Sequence, residues 1–237
     1  CFAMGVFIRW QGKVVLTVIL SVCLIAIGAV NIDRRFDTDL NTLVRYDVLV
    51  SGEKWDELIK LGQTTKEPST MSVACTDFAL AMKGQLVDHL FDVPQYVPEG
   101  LFMFMQKDNL SLNVLGDIFL NIGLVNEAQR FYYDSQESIY NFNKSSLLTR
   151  RLAQVEIING QYDVARKYLD YLKATLFHRQ WAKEQLALLD DEDAVNSHPF
   201  YGRLRSFRTT EDYLFQPNNM FDLLEALYHH NTDNNIA

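Results

Sequence analysis

Polar residues with the spacing of a binding surface lie on two predicted helices in the middle of the chain. Asn113, Asp117 and Asn121 are four residues apart and therefore fall on one face of a helix. Arg150 and Gln154 have the same spacing on a later helix. Amide, carboxylate and guanidinium groups in such rows can hydrogen-bond an extended peptide. We expect these five residues to form a partner-binding groove, and packing does not obviously require Asn113, Asp117 and Asn121; an ordinary solvated face is the alternative.

Catalytic and cofactor motifs are not found in the sequence. It has no HExxH, phosphate-binding glycine loop, dinucleotide fingerprint or GxSxG. His229 and His230 are adjacent, and neighbours on a helix point about 100° apart, so they do not form a chelating pair. The acidic run from Asp190 to Asp193 is typical of a solvated linker. We therefore predict no catalytic residue, no cofactor and no metal.

The charge balance disfavours a nucleic-acid partner. The formal charge is -8, and residues 14–237 alone carry -10 because Arg9 and Lys13 precede them. Phosphate backbones require a clustered basic face. The one basic cluster is followed at once by two acids, and we expect it to be a solvated loop or helix end; it comprises Arg203, Arg205 and Arg208.

We expect no disulfide framework or CxxC metal pair from the three cysteines, because Cys1 lies at the chain end, Cys23 inside an apolar run and Cys75 within a predicted helix. Cys23 is not expected to be a lipid acceptor either, since the bulky Val22 precedes it.

An apolar segment near the N-terminus predicts a transmembrane helix over residues 12–32. Val14 to Val30 is uncharged, and 11 of its residues are Val, Leu or Ile. Residues 9–13, RWQGK, are interpreted as a short basic connection, and the apolar residues 1–8 as the end of an earlier membrane segment. A cleaved signal peptide is the alternative. The basic connection favours a cytoplasmic position for itself and an extracytoplasmic one for the later residues.

Amphipathic helices follow one another after the apolar segment. Apolar residues recur with helical spacing, and glycines at 52, 84, 123 and 160 are predicted to end the first helix of each pair. The predicted helices are 38–50, 55–61, 70–82, 86–91, 112–122, 125–136, 145–158, 162–172 and 176–189. Residues 194–217 are predicted to be irregular, with a further helix at 220–230.

Two of these pairs resemble tetratricopeptide repeats. The sequences around Gly123-Leu124-Val125-Asn126-Glu127-Ala128 and Gly160-Gln161-Tyr162-Asp163-Val164-Ala165 are similar to the helix-turn-helix junction of that family. The resemblance implies an all-α fold: a transmembrane helix followed by an α-solenoid whose first helices form a concave face. The whole arrangement also resembles an uncharacterised class of bacterial multi-spanning membrane proteins with a helical C-terminal region.

The expected organisation has three parts: a membrane region at 1–32, helical repeats at 33–193, and a connection with the start of a further, truncated unit at 194–237. We expect a protein of the bacterial inner membrane that binds or scaffolds a protein or peptide partner without catalysing a reaction. The alternative is the accessory soluble region of a larger membrane enzyme, such as a glycosyl or lipid-linked transferase.

Overall fold

The computed structural model describes residues 2–35, 37–95, 100–103, 108–140 and 144–209, with Phe221, Asp222, Leu224, Glu225 and Tyr228 beyond them. All regular secondary structure in these residues is helical, which confirms the predicted all-α class. The helices are α1 Phe2–Arg35, α2 Thr38–Ser51, α3 Trp55–Thr64, α4 Thr70–Met82, α5 Leu86–His89, a 3-10 helix Leu90–Asp92, α6 Asn109–Asn121, α7 Val125–Glu137, α8 Ser146–Asn159, α9 Tyr162–Lys173, α10 Arg179–Leu188, α11 Glu192–Ser197 and α12 Tyr201–Phe207.

The chain divides into two units, residues 1–42 and residues 43–237. Most of the first unit is α1, whose stretch Val14–Asn31 has a mean hydropathy of 2.6 and is not buried. Its length and composition fit a membrane span, and a signal sequence near the N-terminus would pass the same test. The predicted connection at residues 9–13 is wrong, because α1 continues through it as one helix.

In the second unit, local sequence signals set the ends of the helices. Ser69, Asp108 and Ser145 stand just before α4, α6 and α8, and each side chain accepts a hydrogen bond from a free backbone N–H of the first turn. Gly123 and Gly160 adopt φ values of 91° and 75° at the following turns, which L side chains rarely adopt. The pairs predicted from these glycines are therefore present as helix-turn-helix units.

At the first turn of the second unit, the residue with a positive φ is not a glycine. Helix α2 ends at Ser51, directly before the predicted Gly52, but the residue in the left-handed region there is Glu53, with φ 55°. A side chain at this φ costs about 1–2 kcal/mol relative to glycine. Glu53 therefore occupies a conformation that its residue type disfavours.

Helices pack in sequence order, and α4, α6 and α8 form the centre. Residues 71–80, 111–120 and 151–158 are buried without interruption, so each of these helices is covered on every side. Small residues permit this packing. A Cβ on Gly62 would lie 2.6 Å from Thr76 Cγ2, and a Cβ on Gly116 would lie 2.7 Å from Tyr132 Cδ1. The close approaches of α3 to α4 and of α6 to α7 thus depend on glycine.

The segment after α10 is more helical than we predicted. Residues 194–207, which we predicted to be irregular, hold most of α11 and all of α12. Helix α12 packs back onto α8. Thr209 N also donates to Gly123 O at 3.1 Å. Of the predicted helix at 220–230, the five described residues are helical; the others, including His229 and His230, lie outside the described residues.

Candidate functional site

A cavity of about 400 Å³ lies in the second unit, among helices that are distant in sequence. Its walls come from the ends of α2 and α3, from α4, α6 and α8, and from the segment that leads into α12. The size falls within the range of about 300–1,000 Å³ of small-ligand sites. The lining residues are Val50, Glu53, Trp55, Phe78, Met82, Asp117, Leu120, Asn121, Arg151, Pro199, Phe200 and Arg203.

Two of the five residues predicted for the groove, Asp117 and Asn121, line this cavity. Asn113 and Gln154 are buried. Arg150 is half-buried, and its guanidinium carbon lies 4.7 Å from the centre of the Trp181 ring. Their role in partner binding stays a prediction. Asn113 and Asp117, which we expected packing not to require, are buried and hydrogen-bonded inside the fold, Asn113 to Asp47 and Asp117 to Tyr132 and Arg151.

The centre of the site is a buried ion pair. Arg151 donates through Nη2 to Asp117 Oδ2 at 2.8 Å, and Tyr132 donates its hydroxyl to Asp117 Oδ1 at 2.6 Å. Arg151 also donates through Nη1 to Gln154 Oε1 at 3.2 Å. Burial raises the pKa of Tyr132 well above its usual value, so the phenol stays protonated and remains a donor. The network joins α6, α7 and α8 and fixes the guanidinium of Arg151.

Asp47 on α2 extends the polar network away from the cavity. Asn113 donates to Asp47 Oδ1 at 2.7 Å. Burial raises the pKa of Asp47 to about 6, while the Asn113 hydrogen bond opposes that shift. Asp47 is not among the residues that line the cavity. We interpret its high pKa as a consequence of burial rather than as preparation for acid–base chemistry.

One donor of Arg151 has no partner. The Nε atom is buried and makes no hydrogen bond within the described residues, although the rest of the side chain is well paired and 7% exposed. Nε of the neighbouring Arg150 is buried without a partner in the same way. An unsatisfied buried donor costs about 1–3 kcal/mol. The two unpaired donors therefore lower the stability of the packed helix α8.

Arginines in and directly after α12 hold this helix beside the cavity. Arg203 donates to Asn121 Oδ1 at 2.8 Å. Arg205 and Arg208 donate to the carbonyl oxygen of Ile158 at 3.2 and 2.9 Å, where the last carbonyls of α8 lack helical partners. The basic cluster predicted to be solvated is therefore largely used to hold α12 against α6 and α8.

Several site residues carried no usable sequence signal. Glu53 and Trp55 come from the turn into α3, Phe200 and Arg203 come from the start of α12, and no spacing rule connects these two segments. Arg151 follows Arg150 directly, and helical spacing alone gave no reason to prefer it.

Other candidate chemistry is weaker. Among the described residues, no group of three or more His, Cys, Asp or Glu side chains could hold a metal ion. Cys75 is fully buried, and burial raises the pKa of its thiol well above the usual value. A buried, protonated thiol is a poor nucleophile. Within the described part of the chain, the cavity is therefore the best-supported candidate site.

Comparison with known families covers nearly the whole chain. Residues 2–237 match the model of a family of unknown function, DUF6057. The chain belongs to the DUF6057 family. No curated protein and no solved structure matches it. The DUF6057 match spans both the apolar helix and the cavity-bearing helices; tetratricopeptide repeats were not identified in it, so that resemblance stays a prediction.

Proposed function

We propose that this DUF6057 chain is a membrane-anchored helical-repeat module that binds a protein partner and has no catalytic role of its own. In this proposal α1 is the anchor, and the helix pairs of the second unit are divergent tetratricopeptide-like units on the extracytoplasmic side of a bacterial inner membrane. The cavity is the main support for this proposal, because α4, α6 and α8 each contribute residues to its lining.

The position of the cavity supports a recognition role. In stacked helix pairs, successive first helices share one face and form a continuous surface. Here α4, α6 and α8 are the first helices of successive pairs and each contributes a side chain to the wall, including Phe78, Asp117 and Arg151. A partner segment that enters the cavity would touch three consecutive units.

The lining chemistry also suits a protein partner. Aromatic and arginine side chains dominate binding energy at protein interfaces. Trp55, Phe78 and Phe200 provide three aromatic walls, and Arg203 lies beside them. Trp55 and Phe78 are already packed edge to face with centroids 5.4 Å apart. This rigid wall would accept an apolar side chain of the partner at low entropic cost.

The proposal is tested with Phe200→Ala in the full chain, by crosslinking in native membranes and identification of captured proteins. Phe200 is half-buried, lines the cavity and also packs against the core, so truncation removes contact area at the wall, and the stability of the variant is measured in parallel. We expect capture of a specific partner to fall at least about tenfold, the effect of losing a hot-spot residue.

Phe177→Ala is the matched control, because Phe177 is 88% exposed between α9 and α10 and does not line the cavity. Capture should survive that change. Loss of capture in the control but not in Phe200→Ala would contradict the proposal, since it would place the partner on the α9–α10 turn.

A further inference from the structure

Helix α2 has two apolar faces, and one of them is exposed. Tyr46 and Val50 are buried in the core. On the other face, Leu40, Val44 and Val48 follow one another at intervals of four residues and are 51%, 39% and 59% exposed. Single exposed apolar residues are normal, whereas a continuous exposed row marks an interaction site. The outer face of α2 is therefore a candidate contact surface.

This row borders an open groove of about 500 Å³ between α2 and α3, here called the α2–α3 groove. Its lining residues are Val44, Arg45, Val48 and Leu49 from α2, and Glu57, Lys60, Leu61 and Thr64 from α3. The four residues from α3 have the spacing of a single helix face. Leu58 and Gly62 of the same helix are buried, so α3 packs through a different face and leaves this one open.

Two cations in the α2–α3 groove have no partner. Arg45 and Lys60 are exposed, and their side chains form no hydrogen bond or ion pair within the described residues. Glu57, the carboxylate in the lining, lies 3.2 Å from Nζ of Lys54, which is outside the groove. The groove thus combines exposed aliphatic side chains with two unpaired cations, which is the composition of helices that lie at a membrane surface.

The connection to α1 keeps α2 within reach of a membrane. The apolar stretch of α1 ends at Asn31, and α2 begins at Thr38. Because α1 continues to Arg35, these two positions are at most about 17 Å apart, at about 1.5 Å per helical residue and about 3.6 Å per extended residue. The headgroup layer on one side of a bilayer is about 5–8 Å thick. With α1 as a membrane anchor, α2 therefore begins in or near that layer.

The acidic residues at the start of α2 serve the helix itself. Asp37 Oδ1 accepts hydrogen bonds from the backbone N–H groups of Asp39 and Leu40 at 3.1 and 2.9 Å. Acidic side chains in the first turn, here Asp39, also suit the positive end of the helix dipole. Helix α2 thus has a defined first turn, and its exposed face is formed before any contact with a membrane.

We propose that the α2–α3 groove docks on the lipid surface of the membrane that α1 enters, with Val44, Val48 and Leu61 against the apolar boundary and with Arg45 and Lys60 on anionic headgroups. This inference rests on the part of the proposed function that makes α1 the membrane anchor. A lipid surface is favoured over a protein partner because the short connection keeps the lipid at a high effective concentration. The two unpaired cations also match the charge of anionic headgroups.

The test is quenching of a fluorophore at position 48 by lipid that carries a nitroxide on its acyl chain. The full chain with Cys1→Ala, Cys23→Ala and Val48→Cys is labelled with bimane and placed in nanodiscs of phosphatidylcholine and phosphatidylglycerol in equal parts; Cys75 is fully buried and stays unlabelled. We expect quenching at least about twofold above that of a label at Leu176→Cys. Leu176 is 81% exposed between α9 and α10 and does not line the groove.

A label on the native Cys23 separates the anchor from the docking. Cys23 is exposed on α1, so its label is quenched whenever α1 lies in the bilayer. Quenching at Cys23 without quenching at Val48 would overturn the docking and leave the anchor and the partner cavity intact. No quenching at either position would overturn the docking together with the membrane anchor. Equal quenching at Val48 and Leu176 would indicate adsorption through any exposed apolar residue and would refute the groove assignment.

Charge variants test the contact with headgroups. Arg45→Gln and Lys60→Gln should each lower the equilibrium constant for docking about fivefold in the anionic discs, and they should have no effect in pure phosphatidylcholine. Lys167→Gln is the matched control, because Lys167 is exposed on α9, is also unpaired within the described residues and does not line the groove. Unchanged quenching in both groove variants, or an equal loss in Lys167→Gln, would contradict the headgroup contact.

Discussion

Replacing Asp117 by Asn tests the buried network that fixes the cavity wall. The pair with Arg151 has an N–O distance of 2.8 Å, and the two side chains are 3% and 7% exposed. At this distance and an effective dielectric constant of about 20, the attraction is about 6 kcal/mol. Each ion also loses several kcal/mol of hydration free energy on burial, so the ion pair contributes little to the net free energy of folding. Removing one partner leaves the other charge uncompensated.

We therefore expect Asp117→Asn to lower the free energy of unfolding by about 3–5 kcal/mol. Asparagine keeps an oxygen that can accept the hydrogen bond from the Tyr132 hydroxyl. The loss of stability therefore comes mainly from the uncompensated charge of Arg151. Adding Arg151→Met should recover at least about 2 kcal/mol relative to the sum of the two single changes, because the double variant has no unpaired charge. The assay is urea denaturation of the detergent-solubilised chain, followed by near-ultraviolet circular dichroism.

Asp190→Asn is the matched control. The pair of Asp190 with Arg166 has nearly the same distance, 2.9 Å, but its side chains are 72% and 40% exposed. Exposed pairs contribute about 0–1 kcal/mol, so the control should change stability little. A loss below about 1.5 kcal/mol in Asp117→Asn, or additive losses in the double variant, would refute this account of the network.

Three further predictions concern the same unit. Gly116→Ala should destabilise by about 1–3 kcal/mol despite the higher helix propensity of alanine, because its Cβ would overlap the Tyr132 ring; Gly160→Ala, where no atom lies within 4 Å, should cost only about 1 kcal/mol from its left-handed φ. Glu53→Gly should stabilise by about 1 kcal/mol by relieving a left-handed conformation. Asp47→Asn should stabilise at pH 7, and this gain should disappear near pH 4. Thermal and urea unfolding measure all three.

The sign of the Asp47 effect follows from its raised pKa of about 6 in the folded chain, against an ordinary value of 3.8. Between these values the folded state binds more protons than the unfolded state, so the contribution of Asp47 to stability increases as pH falls from about 6 to 4. Asparagine removes the charge that is costly at pH 7. A gain for Asp47→Asn that persists unchanged at pH 4 would contradict the burial argument.

Helix positions could be predicted from the sequence with good accuracy. The prediction of a helix at 70–82 agrees with α4, Thr70–Met82, and that at 145–158 agrees with α8, Ser146–Asn159, within one residue at each end. Apolar periodicity, capping side chains and glycines at turns act within a few residues of one another. Prediction was poorer for 194–217, where the short helices α11 and α12 are stabilised by distant contacts.

The candidate site could be predicted only in part. Spacing identified Asp117 and Asn121 because helical periodicity places them on one face. It selected Arg150, whereas Arg151 lines the cavity, since adjacent residues point about 100° apart and packing decides which one faces it. It also predicted Asn113 as a groove residue, whereas Asn113 is buried against Asp47, a residue 66 positions earlier in the chain.

What the sequence determined by itself is therefore the helical class, the apolar N-terminal segment and the helix ends, all of which depend on short-range physics. Only the tertiary structure brought Glu53, Arg151 and Arg203 to one cavity. Their proximity depends on how α12 returns across α6 and α8, through hydrogen bonds to Asn121 and to the carbonyl of Ile158. Contacts between such distant segments arise from packing and leave no periodic pattern in the sequence.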